Sequence, residues 1–333
     1  MRLRPFTFLF LTAVLIASFF VVPAPRSAAS VPVVQSGQQD QSQGIHVGVS
    51  LVSLYATVRD NKKKIITDLG QNDFRIFEDG VEQKVAFFAR ESTLPLTLGM
   101  LIDTSGSEES KIGAEQQAAT QFLQRVLQKK DEAMLMSFDL DVNLLSDWTN
   151  NLAELEHAIR RTVVNTGGAG GQIAVGPVPT AAGGGTLFYD AVYLACHDKM
   201  GDEAGRKALV ILTDAQDEGS KMKEDQAIEA AQRADTVIHL LLVADRAFGG
   251  GNVGVARRMT DETGGRLIDV HNDKDLLQGF DQISEELRSE YSLGYYPTNS
   301  KLDGSYRKLR VETKNKDYKV LTRKGYYAQP SGN

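Results

Sequence analysis

Short apolar runs and amphipathic segments alternate through the middle of the chain. The runs have the length and composition of buried parallel strands, and the segments between them repeat apolar residues every three or four positions, as helices do. Buried strands are predicted over 96–102, 133–138, 208–213, 236–243 and 266–270. Helices are predicted over 111–128, 152–163, 187–200, 222–234, 255–263 and 274–289. Alternating strands and helices imply a parallel sheet with helices on both faces.

The regions on either side of this segment have the two-residue alternation of β-strands. Segments 74–78 and 81–88 flank Asp79-Gly80, a sequence typical of a two-residue hairpin turn. Further strands are predicted over 45–58, 291–297, 306–312 and 318–327. Neither set of strands is large enough to be stable alone. We therefore predict that the two ends join into one discontinuous β-rich domain, into which the α/β domain is inserted.

The first thirty residues have the pattern of a targeting segment. Arg2 and Arg4 precede the apolar stretch 6–22, and Ala28-Ala29-Ser30 is compatible with cleavage. An uncleaved anchor is the alternative, because the apolar stretch is near the lower limit for a spanning helix. In either case we expect the folded part to be exported, to the periplasm or the medium. The Gln- and Ser-rich residues 31–44 are predicted to be a linker.

Composition excludes several classes of protein. The 333 residues are 42% hydrophobic and 24% charged, which is typical of a globular protein with a sizeable core. A net charge of −6 argues against a nucleic-acid-binding protein. The single cysteine, Cys196, excludes an internal disulfide and is expected to be a buried core residue.

Oxygen-bearing side chains follow the strand 96–102. Asp103, Ser105 and Ser107 stand at alternate positions just before a predicted helix. They are therefore expected at the carboxyl edge of the sheet, where open α/β folds bind ligands. Carboxylate and hydroxyl oxygens suit a hard cation such as Mg²⁺. The alternative is that these side chains only cap the next helix.

This Asp-x-Ser-x-Ser pattern resembles the metal-ion-dependent adhesion site of von Willebrand factor A (vWA) domains. The family pattern continues with a distant threonine and a later aspartate. The matching residues are Thr186 in Gly-Gly-Gly-Thr-Leu-Phe-Tyr-Asp-Ala and Asp214 in Leu-Val-Ile-Leu-Thr-Asp. The family commonly has glycine after this aspartate, where this chain has Ala215.

The order of segments along the whole chain also resembles that of secreted bacterial vWA-related proteins. The similarity includes Asp73-Phe74, Glu78-Asp79-Gly80 and the segment 289–297. It implies an α/β fold, with a doubly wound, mostly parallel, Rossmann-like sheet inserted in a small discontinuous β-rich domain. The corresponding division is a signal peptide (1–30), a linker (31–44), a β-rich module (45–92), a vWA domain (93–289) and the C-terminal part of the β-rich module (290–329).

The resemblance also implies a function. In the family, the two serines and the threonine bind the cation through their hydroxyls, and the two aspartates help directly or through water. Carried over, the metal ligands are Asp103, Ser105, Ser107, Thr186 and Asp214. The expected ion is Mg²⁺ or Mn²⁺, and an open coordination position takes a carboxylate from a protein partner. No catalytic residue and no nucleic-acid partner are predicted, and membrane contact is expected only if the targeting segment stays uncleaved.

Two other functions use the same residues. A metal-dependent hydrolase would use the ion to activate water, but the sequence offers no clear general base. A structural module would have no metal-dependent binding, although every ligand type is present.

Two glycine-rich stretches are expected to be loops on the same face of the sheet. The stretch 166–185 is predicted to be a mobile loop. The stretch 249–254 matches Gly-x-Gly-x-x-Gly, with Asp269 further on, but it does not follow its strand directly as the dinucleotide fingerprint does. We therefore expect no nucleotide site there.

Overall fold

The computed structural model describes residues 51–90, 94–164, 185–243 and 250–328, all within the compact unit Val47–Asn333. The predicted targeting segment, the linker and all of the loop 166–185 except Gly185 lie outside these residues. None of the described helices combines the length and the hydropathy that a membrane crossing needs.

In the described residues, a β-rich segment precedes an α/β segment, and a second β-rich segment follows it. The strands are β1 (Val52–Arg59), β2 (Phe74–Glu78), β3 (Val81–Gln83), β4 (Val85–Arg90), β5 (Leu96–Asp103), β6 (Glu132–Phe138), β7 (Val142–Thr149), β8 (Arg206–Thr213), β9 (Thr236–Val243), β10 (Leu267–Val270), β11 (Tyr291–Tyr295), β12 (Tyr306–Thr313), β13 (Lys319–Leu321) and β14 (Gly325–Tyr327). The helices are α1 (Ile112–Val126), α2 (Leu152–Ile159), α3 (Phe188–Leu194), α4 (Glu224–Arg233), α5 (Val253–Thr263) and α6 (Asp273–Arg288). Helix α3 continues as one π-helical segment, Ala195–Met200.

Six strands form the central sheet, in the order β10-β9-β8-β5-β6-β7. All neighbours are parallel except β6 and β7. Strand β5 lies in the middle and is buried along all of its eight residues. Helices cover both faces of the sheet, so two hydrophobic clusters form, one on each side. This arrangement confirms the predicted doubly wound, mostly parallel fold.

Strand β7 is the one strand of this sheet that the sequence pattern does not predict. It lies at the edge of the sheet, and its register against β6 shifts twice. Asn143, Leu144 and Asp147 are exposed, so its residues do not form an apolar run. An edge strand of this kind carries too few buried side chains to be identified by hydrophobicity.

Two four-stranded antiparallel sheets form a sandwich from the residues before and after the α/β segment. Their strand orders are β13-β1-β11-β4 and β14-β12-β2-β3, so each sheet contains strands from both parts of the chain. Their facing sides bury a shared core: Val52, Leu54, Ala56, Val58, Phe74, Ile76, Tyr291, Leu293, Tyr295, Leu309 and Val311. The boundaries 92/93 and 289/290 between two domains stay a prediction, because the described residues form a single compact unit.

Two strands predicted as continuous are interrupted in the sandwich. The predicted strand 81–88 is interrupted at Lys84, and its halves β3 and β4 belong to different sheets. Segment 318–327 divides in the same way into β13 and β14. A chain that passes from one packed sheet to the other must bend at the corner, which a periodic sequence pattern does not reveal.

Buried ion pairs connect the sandwich to helix α6. Glu286, near the end of this helix, pairs with Arg59 of β1 and with Arg266, whose Nε lies 2.6 Å from Glu286 Oε1. Glu290 follows the helix and pairs with Arg206 of β8 at 3.0 Å. Burial raises the pKa of Glu290 to about 7, although the positive charge of Arg206 acts in the opposite direction. The end of α6 is therefore held by charges on β1 and on the central sheet.

Candidate metal centre

Asp103 ends β5 and is completely buried. Its Oδ1 accepts a hydrogen bond from the Ser105 backbone N–H at 2.9 Å, and its Oδ2 accepts one from the Thr213 hydroxyl at 2.6 Å. Burial raises the pKa of Asp103 to about 6, and the hydrogen bonds from Ser105 and Thr213 oppose that rise. The carboxylate is therefore fixed in orientation and poorly solvated.

The two serines lie beside this carboxylate, in the turn that follows β5. Ser105 Oγ and Ser107 Oγ are 3.0 Å apart. Neither serves as a helix cap: Ser105 precedes the 3₁₀ turn Gly106–Glu108 without a side-chain capping bond, and α1 begins after Lys111, also without one. The capping alternative therefore has no hydrogen bond that supports it.

Asp214 follows β8, the neighbour of β5. Its carboxylate accepts bonds from the backbone N–H of Gln216 at 3.0 Å and from the Gln216 side-chain amide at 3.3 Å. Ala215 has φ +58° and is fully buried. This left-handed conformation favours glycine, which is the residue that the resemblance leads us to expect here. The turn therefore keeps a glycine-like shape with an alanine in it.

Thr186 lies just before α3, and its backbone pairs with that of Glu218 through two hydrogen bonds of 3.0 Å. The next residue, Leu187, donates its N–H to the carbonyl oxygen of Asp139 at 2.8 Å. The Asp139 carboxylate in turn accepts a bond from the Thr104 hydroxyl at 2.9 Å, next to Asp103. The loop that carries Thr186 is thus connected to both of the segments that carry the other four predicted ligands.

Two further carboxyl groups have their pKa raised by burial: Glu108, which directly follows Ser107, and Glu115, which interacts with Glu108. Glu108 is 1% exposed, and its pKa rises to about 7, with Lys111 at 3.8 Å opposing the shift and Asp103 adding to it. Burial and the charge of Glu108 hold the pKa of Glu115 well above its usual value. Adjacent charged residues such as Glu108-Glu109 are usually solvated, but of these two only Glu109 is exposed.

The described part of the second glycine-rich stretch reaches the same edge of the sheet. Asn252 donates its backbone N–H to the Asp214 carbonyl oxygen at 2.7 Å, and its side chain caps α5 by accepting from Val255 N–H at 3.2 Å. This loop therefore lies on the face of the sheet that the sequence predicts. The two hydrogen bonds of Asn252 hold the loop against Asp214 and cap α5.

The residues at this edge fit a hard divalent cation. Hydroxyl and carboxylate oxygens are the only ligand types in the predicted set, and two of the hydroxyls lie side by side. A cation would also neutralise Asp103, whose charge is costly in this buried position. Within the described ranges, no cluster of three or more His, Cys, Asp or Glu side chains could hold a metal ion. This site, with two carboxylates and three hydroxyls, is of a different type.

Residues 98–216 match the sequence profile of the von Willebrand factor type A domain. Among solved structures, BatB from Bacteroides thetaiotaomicron is 14% identical, with coverage of 58% of this chain and 100% of its own and a TM-score of 0.45. A von Willebrand factor type A protein from Catenulispora acidiphila is 11% identical, with 79% and 75% coverage and a TM-score of 0.48. The corresponding domain of the pilus tip protein Mfa5 from Porphyromonas gingivalis is 13% identical, with 58% and 95% coverage and a TM-score of 0.43. No curated protein matches the chain.

Proposed function

Residues 98–216 form a domain of the vWA family, and from this premise we propose that the protein binds a protein partner through a divalent cation. The cation is Mg²⁺ or Mn²⁺, held by the hydroxyls of Ser105, Ser107 and Thr186 and by the carboxylates of Asp103 and Asp214. The observation that carries the proposal is the contact of 3.0 Å between the two serine hydroxyls, beside a buried, oriented carboxylate.

In this proposal the two carboxylates are oriented before the ion binds. Ser105 N–H and the Thr213 hydroxyl fix the carboxylate of Asp103, so its orientation does not have to change on binding. Gln216 orients Asp214 in the same way. When bound, the cation supplies an open coordination position, and because only two of the five ligands are charged, a partner's carboxylate completes its shell.

The proposed site of action, outside the cytoplasm, follows from the sequence. The N-terminal segment 1–30 directs export, so the partner is met outside the cytoplasm. Binding, rather than catalysis, is the proposed activity. The two alternatives predict different results: a hydrolase turns over a substrate in the presence of the ion, and a structural module shows no response to it.

The test is thermal unfolding of the chain without residues 1–30, in the presence of Mg²⁺, Mn²⁺ or EDTA. Either ion is expected to raise the melting temperature, because a ligand that prefers the native state stabilises it, by about 2.7 kcal/mol at ~100 times its Kd. Asp103→Ala is expected to abolish the rise. The control is Asp317→Ala, which removes an exposed aspartate of the sandwich and leaves the rise intact.

Identical responses of wild type and Asp103→Ala to the ion and to EDTA would show that the metal site is wrong. Partner binding is tested on the same variants. A partner protein retained in Mg²⁺ and released by EDTA, by wild type and not by Asp103→Ala, supports the adhesion proposal. Metal-dependent turnover would instead support the hydrolase.

A further inference from the structure

The loop that carries Thr186 lies directly against the loop that follows Asp214. Thr186 and Glu218 exchange two backbone hydrogen bonds of 3.0 Å and form an isolated bridge. Gly185 makes this approach possible, since a Cβ at its position would lie 2.8 Å from the Glu218 carbonyl oxygen. The bridge alone is one residue pair long.

Side chains of both segments add hydrogen bonds beyond the bridge, at Tyr189 and Asp190. Asp190, in the first turn of α3, accepts hydrogen bonds from two successive backbone N–H groups of the opposite loop. Its Oδ1 lies 2.8 Å from Met222 N and its Oδ2 lies 3.1 Å from Lys221 N. Both oxygens of one carboxylate are therefore used to hold the segment that follows Asp214.

Side chains of the opposite loop in turn accept hydrogen bonds from backbone N–H groups in the first turn of α3. Asp217 Oδ1 accepts from Tyr189 N–H at 3.0 Å, and Ser220 Oγ accepts from Asp190 N–H at 3.1 Å. The Ser220 hydroxyl also donates to Asp217 Oδ1 at 2.5 Å, which joins the two acceptors. We call the side chains of Asp190, Asp217 and Ser220 the loop clasp. With the Thr186–Glu218 bridge, the clasp joins the two loops by six hydrogen bonds.

We propose that the loop clasp positions Thr186 relative to Asp214, and so sets the affinity of the site for its cation. This inference rests on the proposed function. A threonine hydroxyl is a neutral ligand, and its contribution depends on being held in place before the ion arrives. Asp103 and Asp214 are placed by neighbouring strands, whereas Thr186 precedes a helix and is held by the bridge and the clasp. Asp190 and Asp217 are therefore positioning residues, and neither is one of the five proposed ligands.

The test compares Asp190→Ala and Asp190→Asn with wild type, using the chain without residues 1–30. Calorimetric titration with Mn²⁺ gives the affinity, and amide exchange of Thr186 and Glu218 reports on the bridge. Asp190→Ala is expected to weaken Mn²⁺ binding by about 10- to 100-fold, the usual effect of losing a residue that orients a ligand. Exchange of both amides should accelerate. Asp190→Asn keeps one of the two acceptors, and its affinity should lie between the other two.

Asp198→Ala is the matched control, because this aspartate is exposed, lies on the π-helical continuation of α3 and contacts His197 rather than the opposite loop. It should bind Mn²⁺ as wild type does. Ser220→Ala provides a milder change if Asp190→Ala lowers the melting temperature strongly, and it should still weaken binding. Unchanged affinity in both Asp190→Ala and Ser220→Ala overturns the clasp and leaves the proposed function standing. No binding to wild type overturns both.

Discussion

Glu78→Ala is expected to lower the free energy of unfolding by about 3–5 kcal/mol, because it leaves a buried arginine without its carboxylate. Arg307 is 1% exposed, and its Nη1 lies 3.0 Å from Glu78 Oε1. The other oxygen of Glu78 accepts hydrogen bonds from the hydroxyls of Tyr295 at 2.6 Å and Tyr326 at 2.8 Å. One carboxylate on β2 thus binds side chains of β11, β12 and β14.

Urea unfolding of three variants separates the charge from the hydrogen bonds. Glu78→Gln keeps an acceptor for the tyrosines but removes the charge, so its loss of stability should be smaller than that of Glu78→Ala. The control is Glu82→Ala, which breaks an ion pair with Arg75 in which both side chains are about half exposed. Solvent screens that pair, so little change is expected. Equal effects of Glu78→Ala and Glu82→Ala would contradict the buried position of Glu78.

Gly264→Ala is expected to destabilise the protein by about 2–5 kcal/mol. Gly264 has φ +86°, and a side chain in this left-handed conformation costs about 1–2 kcal/mol. A Cβ would also lie 2.3 Å from Arg323 N and from Thr322 C, where overpacking adds about 1–3 kcal/mol. The contacting atoms are backbone, so they cannot rotate away. This glycine lets the end of α5 touch the segment between β13 and β14.

Gly304→Ala is the matched control for this substitution. Gly304 has φ +74°, but no atom lies within 4 Å of the Cβ position. It should therefore show only the conformational cost, and the difference between the two variants measures the backbone contact. Equal losses of stability in thermal or urea unfolding would show that α5 does not approach residues 322–323 this closely.

The central fold could be predicted because its strands are buried on both faces. Runs such as 96–102 have no polar residue except Thr97, so they differ clearly from the helices between them. The edge strand β7 and the corners at Lys84 and 322–324 could not be predicted in this way. Their positions depend on the packing of two sheets, which is not a periodic property of the sequence.

The candidate site was predicted from short motifs, and the structure adds the contacts between them. The sequence places Asp103 and Asp214 after two buried strands, but it reveals neither that these strands are neighbours nor that Thr213 hydrogen-bonds to Asp103. It also misses the clasp, because Asp190 and Asp217 are common solvated residue types. The five ligand assignments themselves stay a prediction until the ion is measured.

Under a mechanical load, the short link between α6 and β11 is one route by which force passes from the α/β segment to the sandwich, beside the ion pair of Glu286 with Arg59. Only Ser289 and Glu290 separate the helix from the strand, so a pull on the candidate metal centre that passes through α6 reaches β11 at Tyr291. A counter-pull through the start of β1 acts at Val52, which is opposite Tyr295, whereas Tyr291 is opposite Ala56. The two antiparallel strands are then drawn along their lengths in opposite directions. All five registered residue pairs bear this shear load together, so they do not open one after another.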